Sequence, residues 1–157
     1  MMKLFKGRSK QTYCTKKKPI KEGYKFFALC DAHTGFVYYF MPSGLREGKK
    51  RTIVDSVTKI IKKIPMRGSK QYVVTMDNYF TSHKTMRSLR KHNLAGLGTA
   101  RANNIRAEEI KDIKDKKFNT LYYINDADDY RIFRWIDNNV VLMVLTINTG
   151  HKGLERP

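Results

Sequence analysis

A chain of 157 residues, 41% of them hydrophobic, is long enough to bury one core and too apolar to be a disordered basic tail. Its 32 Lys and Arg against 14 Asp and Glu leave a formal charge of +18, which makes a polyanion the first partner to consider. The longest apolar stretch, Val140 to Ile147, falls far short of the about 20 residues that a bilayer-crossing helix needs.

Residues 1–22 are rich in Lys and Arg and lack the periodicity of a buried element, so they read as a basic arm or loop. Lys3, Lys6 and Arg8 follow Met1 with no apolar core segment and no small-residue cleavage site, so no secretory signal is expected and an intracellular protein is. Cys14 and Cys30 do not form a C-x-x-C pair, and reduced thiols are the expectation. Tyr24 to Cys30 and Phe36 to Met41 are β-rich runs separated by the turn residues Asp31 to Gly35, which predicts an antiparallel hairpin. Its alternating Phe and Tyr are expected in the hairpin core. A loop from Pro42 to Arg51 follows. Ile53, Val54, Val57, Ile60, Ile61 and Ile64 then recur at helical spacing, predicting an amphipathic helix that ends near Pro65.

Gln71 to Met76 reads as a strand buried on both faces, and Ser82 as the cap of a helix running through Met86 and Leu89 to about His92. Leu94 to Ala100 supplies another strand, so the order suits a parallel βαβ unit with a right-handed crossover. Residues 101–120 are polar and basic, with a short helix predicted over Glu108 to Ile113. Tyr122 to Ile124, Arg131 to Ile136 and Val140 to Ile147 read as strands, the last two turned into a hairpin by Asp137 to Asn139. Nothing marks a second domain, and no internal repeat is present.

Asp77 is the residue that carries chemistry. The run Val73 to Ser82 delivers its carboxylate from an apolar strand into a polar turn before a helix, where an acidic metal ligand belongs in a mixed α/β nuclease. The same pattern also serves as an ordinary Asx turn, with Asn78, Thr81 and Ser82 as turn and cap residues that fix its orientation. Asp31 reads as a turn former. Asp126, Asp128 and Asp129 lack the central Gly and terminal Glu of a calcium loop and read as a solvated turn. His33, His83, His92 and His151 have neither metalloprotease nor zinc spacing, so no catalytic histidine is expected. Gly96-Leu-Gly98 lacks the third glycine of a dinucleotide fingerprint and no phosphate loop occurs, so no nucleotide cofactor or small-molecule substrate is indicated.

Lys16, Lys17, Lys18 and Lys21 fit a nuclear localisation signal, DNA phosphate contacts, or an ordinary solvated charge run. Lys6, Arg8, Lys49, Lys50, Arg51 and Arg101 are further candidates for phosphate contacts, which position DNA without reading its bases.

Three blocks carry a family resemblance. They are Phe5 to Ser9 leading through Lys18 to Lys21, Gly23 to Lys25, Leu29 to Asp31 and Thr34-Gly35; Met76 to Ser82 followed by Gly98 to Arg101 and Asn103; and Arg134 to Asn138 before the strand Val140 to Leu145. In order and interval the chain resembles the PiggyBac family of transposases and the domesticated proteins derived from it, over nearly all its length. The resemblance implies an α/β fold: an RNase H-like mixed sheet of about five strands flanked by helices, with a C-terminal β-rich insertion. It implies a single partial catalytic domain over 1–157, made of a basic arm at 1–22, a core at 23–100 and an insertion-like region at 101–157.

The resemblance also implies metal-dependent DNA cleavage and strand transfer, with three aspartates holding two Mg²⁺ or Mn²⁺ ions. Asp77 matches the second aspartate, as catalytic residue and metal ligand. The first is expected before Met1 and the third beyond Pro157. Two-metal catalysis needs ions about 3.5 to 4 Å apart, and one carboxylate holds Mg²⁺ weakly, so this chain alone is expected to bind duplex DNA, with little sequence preference, but not to cleave it or hold a metal tightly. A nuclear location follows from a DNA partner, and homo-oligomerisation is left open. The alternative is a small basic RNA-binding or ribonucleoprotein component that stacks bases on Tyr13, Tyr24, Phe26, Phe36 and Tyr38.

Overall fold

The structure, a computed structural model, describes residues 2–7, 9, 11–16, 19–43, 52–64, 72–105, 117–125 and 130–146. The chain divides into two compact units, Met1–Gly68 and Ser69–Pro157, at a point that composition does not mark.

In the first unit the spine is a long strand, β3 (Glu22–Cys30). Two short strands, β1 (Met2–Leu4) and β2 (Tyr13–Cys14), pair antiparallel with its beginning, so that Gly23 lies opposite both Leu4 and Tyr13. The segment expected to be an arm or loop is therefore partly a sheet. The correction has a local cause: a Cβ on residue 23 would collide with the Lys3 carbonyl, so glycine admits a backbone that no apolar alternation announces. The rest of β3 pairs with β4 (Val37–Pro42), forming the expected hairpin. Phe27 and Met41 face inward, and α1 (Ile53–Ile61) packs on both strands and buries Val57, Ile60 and Ile61. Thr52 caps α1, accepting the Asp55 N–H at 3.1 Å and donating its hydroxyl to the Asp55 carboxylate at 2.6 Å.

Not all the hairpin aromatics are core residues, as alternation had led one to expect. Phe36 is 64% exposed, Phe40 58% and Tyr38 43%, and they project from the face of the hairpin that α1 does not cover. Cys14 and Cys30 are free and exposed.

The hairpin turn depends on Asp31, as expected. Its Oδ1 accepts the Thr34 N–H at 2.8 Å, the Thr34 hydroxyl at 2.9 Å and the His33 N–H at 3.0 Å. These bonds, the Thr34 backbone bond first, hold the carboxyl below its ordinary value of 3.8. The stabilisation is fully present above that value and is lost as pH falls through the lowered one. NMR should show the Thr34 and His33 amides losing protection only on acidification below the ordinary carboxylate range. Asp31→Asn should remove that pH dependence, and amides unchanged down to pH about 2 would refute this account.

The second unit is one five-stranded sheet of order β5-β6-β9-β8-β7. Its strands are β5 (Val73–Met76), β6 (Ala95–Ala100), β7 (Leu121–Asn125), β8 (Arg131–Ile136) and β9 (Val140–Leu145). Among the described strands only β5 and β6 are parallel, with Val73 opposite Ala95 and Met76 opposite Gly98, and α2 (His83–Lys91) connects them. The predicted βαβ unit is present. Because β9 pairs with β6, and Thr146 extends that ladder through its N–H to the Gly96 carbonyl, the C-terminal β-rich region continues the core sheet.

β5 lies at the edge of this sheet among the described strands, and Val73 and Thr75 are exposed while Val74 and Met76 are half-buried. The expectation of a strand buried on both faces is thus corrected: an apolar run cannot reveal that one side lacks a neighbour. α2 lies on the sheet through Met86 and Leu89, both 0% exposed, while Ile132 and Val144 fill the sheet side of the core. It ends in a Schellman motif, with Asn93 at φ 55° and the Leu94 N–H bonded to the Leu89 carbonyl at 3.0 Å.

Candidate functional site

The parallel pair delivers two chain segments to one edge of the second unit. β5 ends at Met76, and Asp77 follows, exposed. β6 ends at Ala100, and Arg101 follows, also exposed, before a 3-10 turn over Ala102–Asn104. Because the strands run in the same direction in register, both residues leave the sheet at its carboxyl edge.

Asp77 makes the turn that its residue type predicts. Its Oδ1 accepts the Tyr79 N–H at 3.0 Å, and its carbonyl accepts the Phe80 and Thr81 N–H groups at 3.2 and 3.1 Å. The Thr81 hydroxyl donates to the same carbonyl at 2.9 Å, and Thr81 is 0% exposed. Ser82 caps α2 by accepting the Thr85 N–H at 3.1 Å. Asn104 reaches back from the segment after β6, its Nδ2 standing 3.5 Å from the Thr81 carbonyl. Gly98 lies beneath the turn, where a Cβ would meet the Thr81 hydroxyl and stand 2.7 Å from the Met76 carbonyl. A strand-end turn thus presents an exposed carboxylate on a backbone fixed from below.

Two further features escaped sequence reasoning. The His83 Nε2 and the Tyr130 hydroxyl are 2.6 Å apart, and the two rings meet edge to face, so the start of α2 is latched to the residue before β8. Forty-seven residues separate the pair, and neither periodicity nor a motif links them. Arg134 is 3% exposed with its guanidinium 5.7 Å over the Tyr122 ring, although its residue type predicts a solvated face.

Of the expected phosphate contacts, Lys6, Lys16 and Lys21 are exposed on the first unit and Arg101 on the second. Arg8, Lys17, Lys18, Lys49, Lys50 and Arg51 lie outside the described residues, as do the predicted Glu108 to Ile113 helix, the acidic cluster Asp126, Asp128 and Asp129, and His151. Among the described residues no group of three or more His, Cys, Asp or Glu is placed to hold a metal ion. Asp77 by itself does not fit a two-ion centre, which needs several carboxylates around both ions. No helix among the described residues is long and apolar enough to cross a membrane.

Mixed sheet, βαβ unit and strand-end carboxylate together describe a mixed α/β fold, and comparison with known proteins identifies the family. The profile of the Transposase IS4 family matches residues 1–156, and the chain belongs to that family of transposases. Within it the chain is PiggyBac-like: it is 30% identical over 133 residues to human PiggyBac transposable element-derived protein 2, covering 79% of this chain and 22% of that protein. The fold matches a piggyBac transposase solved in a synaptic complex with hairpin DNA, with a TM-score of 0.78 and 23% identity, over 96% of this chain and 32% of that one. The chain therefore spans less than a third of either relative, and its fold is the mixed α/β class that was expected, with which the RNase H-like detail is consistent.

Proposed function

We propose that this chain serves a PiggyBac-like DNA transposase, contributing one acidic ligand and part of the DNA-contacting charge to a centre that cleaves and joins DNA with Mg²⁺ or Mn²⁺. The observation that carries this reading is the exposed Asp77 carboxylate at the carboxyl end of a parallel strand, in a chain of a transposase family. Strand carboxyl ends are where open α/β sheets place their ligands. The metal's role would be to activate the attacking oxygen and stabilise the leaving one. With Asp77 the single carboxylate at that edge among the described residues, the chain alone is expected to bind duplex DNA without cleaving it. Lys6, Lys16, Lys21 and Arg101 bind phosphates, and Arg8, Lys17, Lys18, Lys49, Lys50 and Arg51 add charge of the same kind. The DNA partner makes the nucleus the place of action. The RNA-binding alternative has no support from these relatives.

The test is a Mn²⁺ titration of the 157-residue chain followed by NMR. Paramagnetic broadening should be weak, centred on residues 76–82 and the adjoining residues 98–104, and abolished in Asp77→Asn. Broadening that is absent from this turn, or that survives the substitution, would remove Asp77 from the metal site.

A further inference from the structure

We propose that Thr81 is the positioning residue for Asp77, clamped between the turn it closes and the bare backbone of Gly98. Asp77 is exposed, and among the described residues no side chain is hydrogen-bonded to its carboxylate. Its orientation comes instead from its own backbone. The Asp77 carbonyl accepts three donors, and two of them, an N–H at 3.1 Å and a hydroxyl at 2.9 Å, belong to Thr81. That fixes the peptide following Asp77, and with it the Tyr79 N–H that holds Oδ1 at 3.0 Å.

Thr81 is itself held from below. It is 0% exposed, and only the missing Cβ of Gly98 leaves room for its hydroxyl beside the Met76 carbonyl. The Thr81 carbonyl faces the amide of Asn104, which ties the turn to the segment that begins at Arg101. The acidic group and the neighbouring cation therefore stand on one bonded platform. Functional groups need such support, because a carboxylate left to its own rotamers loses the geometry a ligand requires. The functional meaning rests on Asp77 as an acidic ligand, while the clamp itself is measurable without metal.

Amide hydrogen exchange of the 157-residue chain, read by NMR, tests it. Thr81→Val keeps the shape and removes the hydroxyl. It should speed exchange of the Tyr79 and Phe80 amides about fivefold, as loss of one hydrogen bond predicts, and leave Ile132 and Val144 at the sheet centre unchanged. Thr81→Ser should restore the slow exchange. Unchanged Tyr79 and Phe80 amides, or acceleration spread equally to Ile132 and Val144, would overturn the clamp.

A measurement on the unsubstituted chain applies whether or not Thr81→Val folds: the buried Thr81 hydroxyl proton should exchange slowly enough to give its own resonance, and its absence would also overturn the proposal. Asp77→Asn retains an oxygen acceptor, so it should leave Tyr79 protected while abolishing the Mn²⁺ response. A missing Mn²⁺ response in the unsubstituted chain would thus sink the ligand role and leave the exchange result standing.

Discussion

Gly98→Ala is expected to destabilise the second unit by about 2 to 3 kcal/mol, the upper range for overpacking a closed site. The added methyl would stand 2.7 Å from the Met76 carbonyl and against the Thr81 hydroxyl. Neither neighbour can retreat cheaply. Met76 is held in the parallel ladder opposite Gly98 itself, and Thr81 is fully buried and bonded to Asp77. Gly96, two residues earlier on the same strand, is the control, because a methyl there would meet the Met86 sulfur at 2.6 Å and the Leu89 Cδ1 at 2.8 Å. Those are ends of side chains that can rotate, so Gly96→Ala should cost less. Urea unfolding of both variants decides the matter, and equal losses would show that the backbone beneath the Asp77 turn is not a tight contact.

Duplex DNA binding should weaken about 100-fold between 50 and 200 mM salt if the four described cations each neutralise one phosphate, since each contributes about −0.9 to the slope of log affinity against log salt. Those cations are Lys6, Lys16, Lys21 and Arg101, all exposed. Arg101→Ala should make the slope shallower by about 1, with an equal loss on unrelated sequences, because a phosphate contact carries no base information. Fluorescence anisotropy at several salt concentrations measures both effects. Tight binding that survives high salt would show that charge does not supply the affinity, and a loss confined to one sequence would make Arg101 a base reader.

What the sequence determined by itself was local. The hairpin around Asp31, the helix with Val57, Ile60 and Ile61 on one face, the Ser82 cap and the parallel strands on either side of α2 all follow from chemistry within a few residues along the chain. The Asp77 turn was legible for the same reason, since strand, Asx turn and cap are contiguous.

Tertiary structure decided which distant residues meet. The alternating Phe and Tyr of the hairpin were expected in a core, but α1 covers one face, and Phe36, Tyr38 and Phe40 remain exposed. The same ambiguity hid that β5 lies at the edge among the described strands, because a strand's composition does not state how many neighbours it has. The basic segment before Gly23 pairs as strands because a backbone without a Cβ lets it approach. The Gly98 seat, the Asn104 tie and the His83–Tyr130 latch join residues from separate elements, and nothing within either element foretells the other. Periodicity and capping are encoded over a few residues of one chain segment, whereas burial and positioning depend on the close packing of segments that only the folded chain brings together.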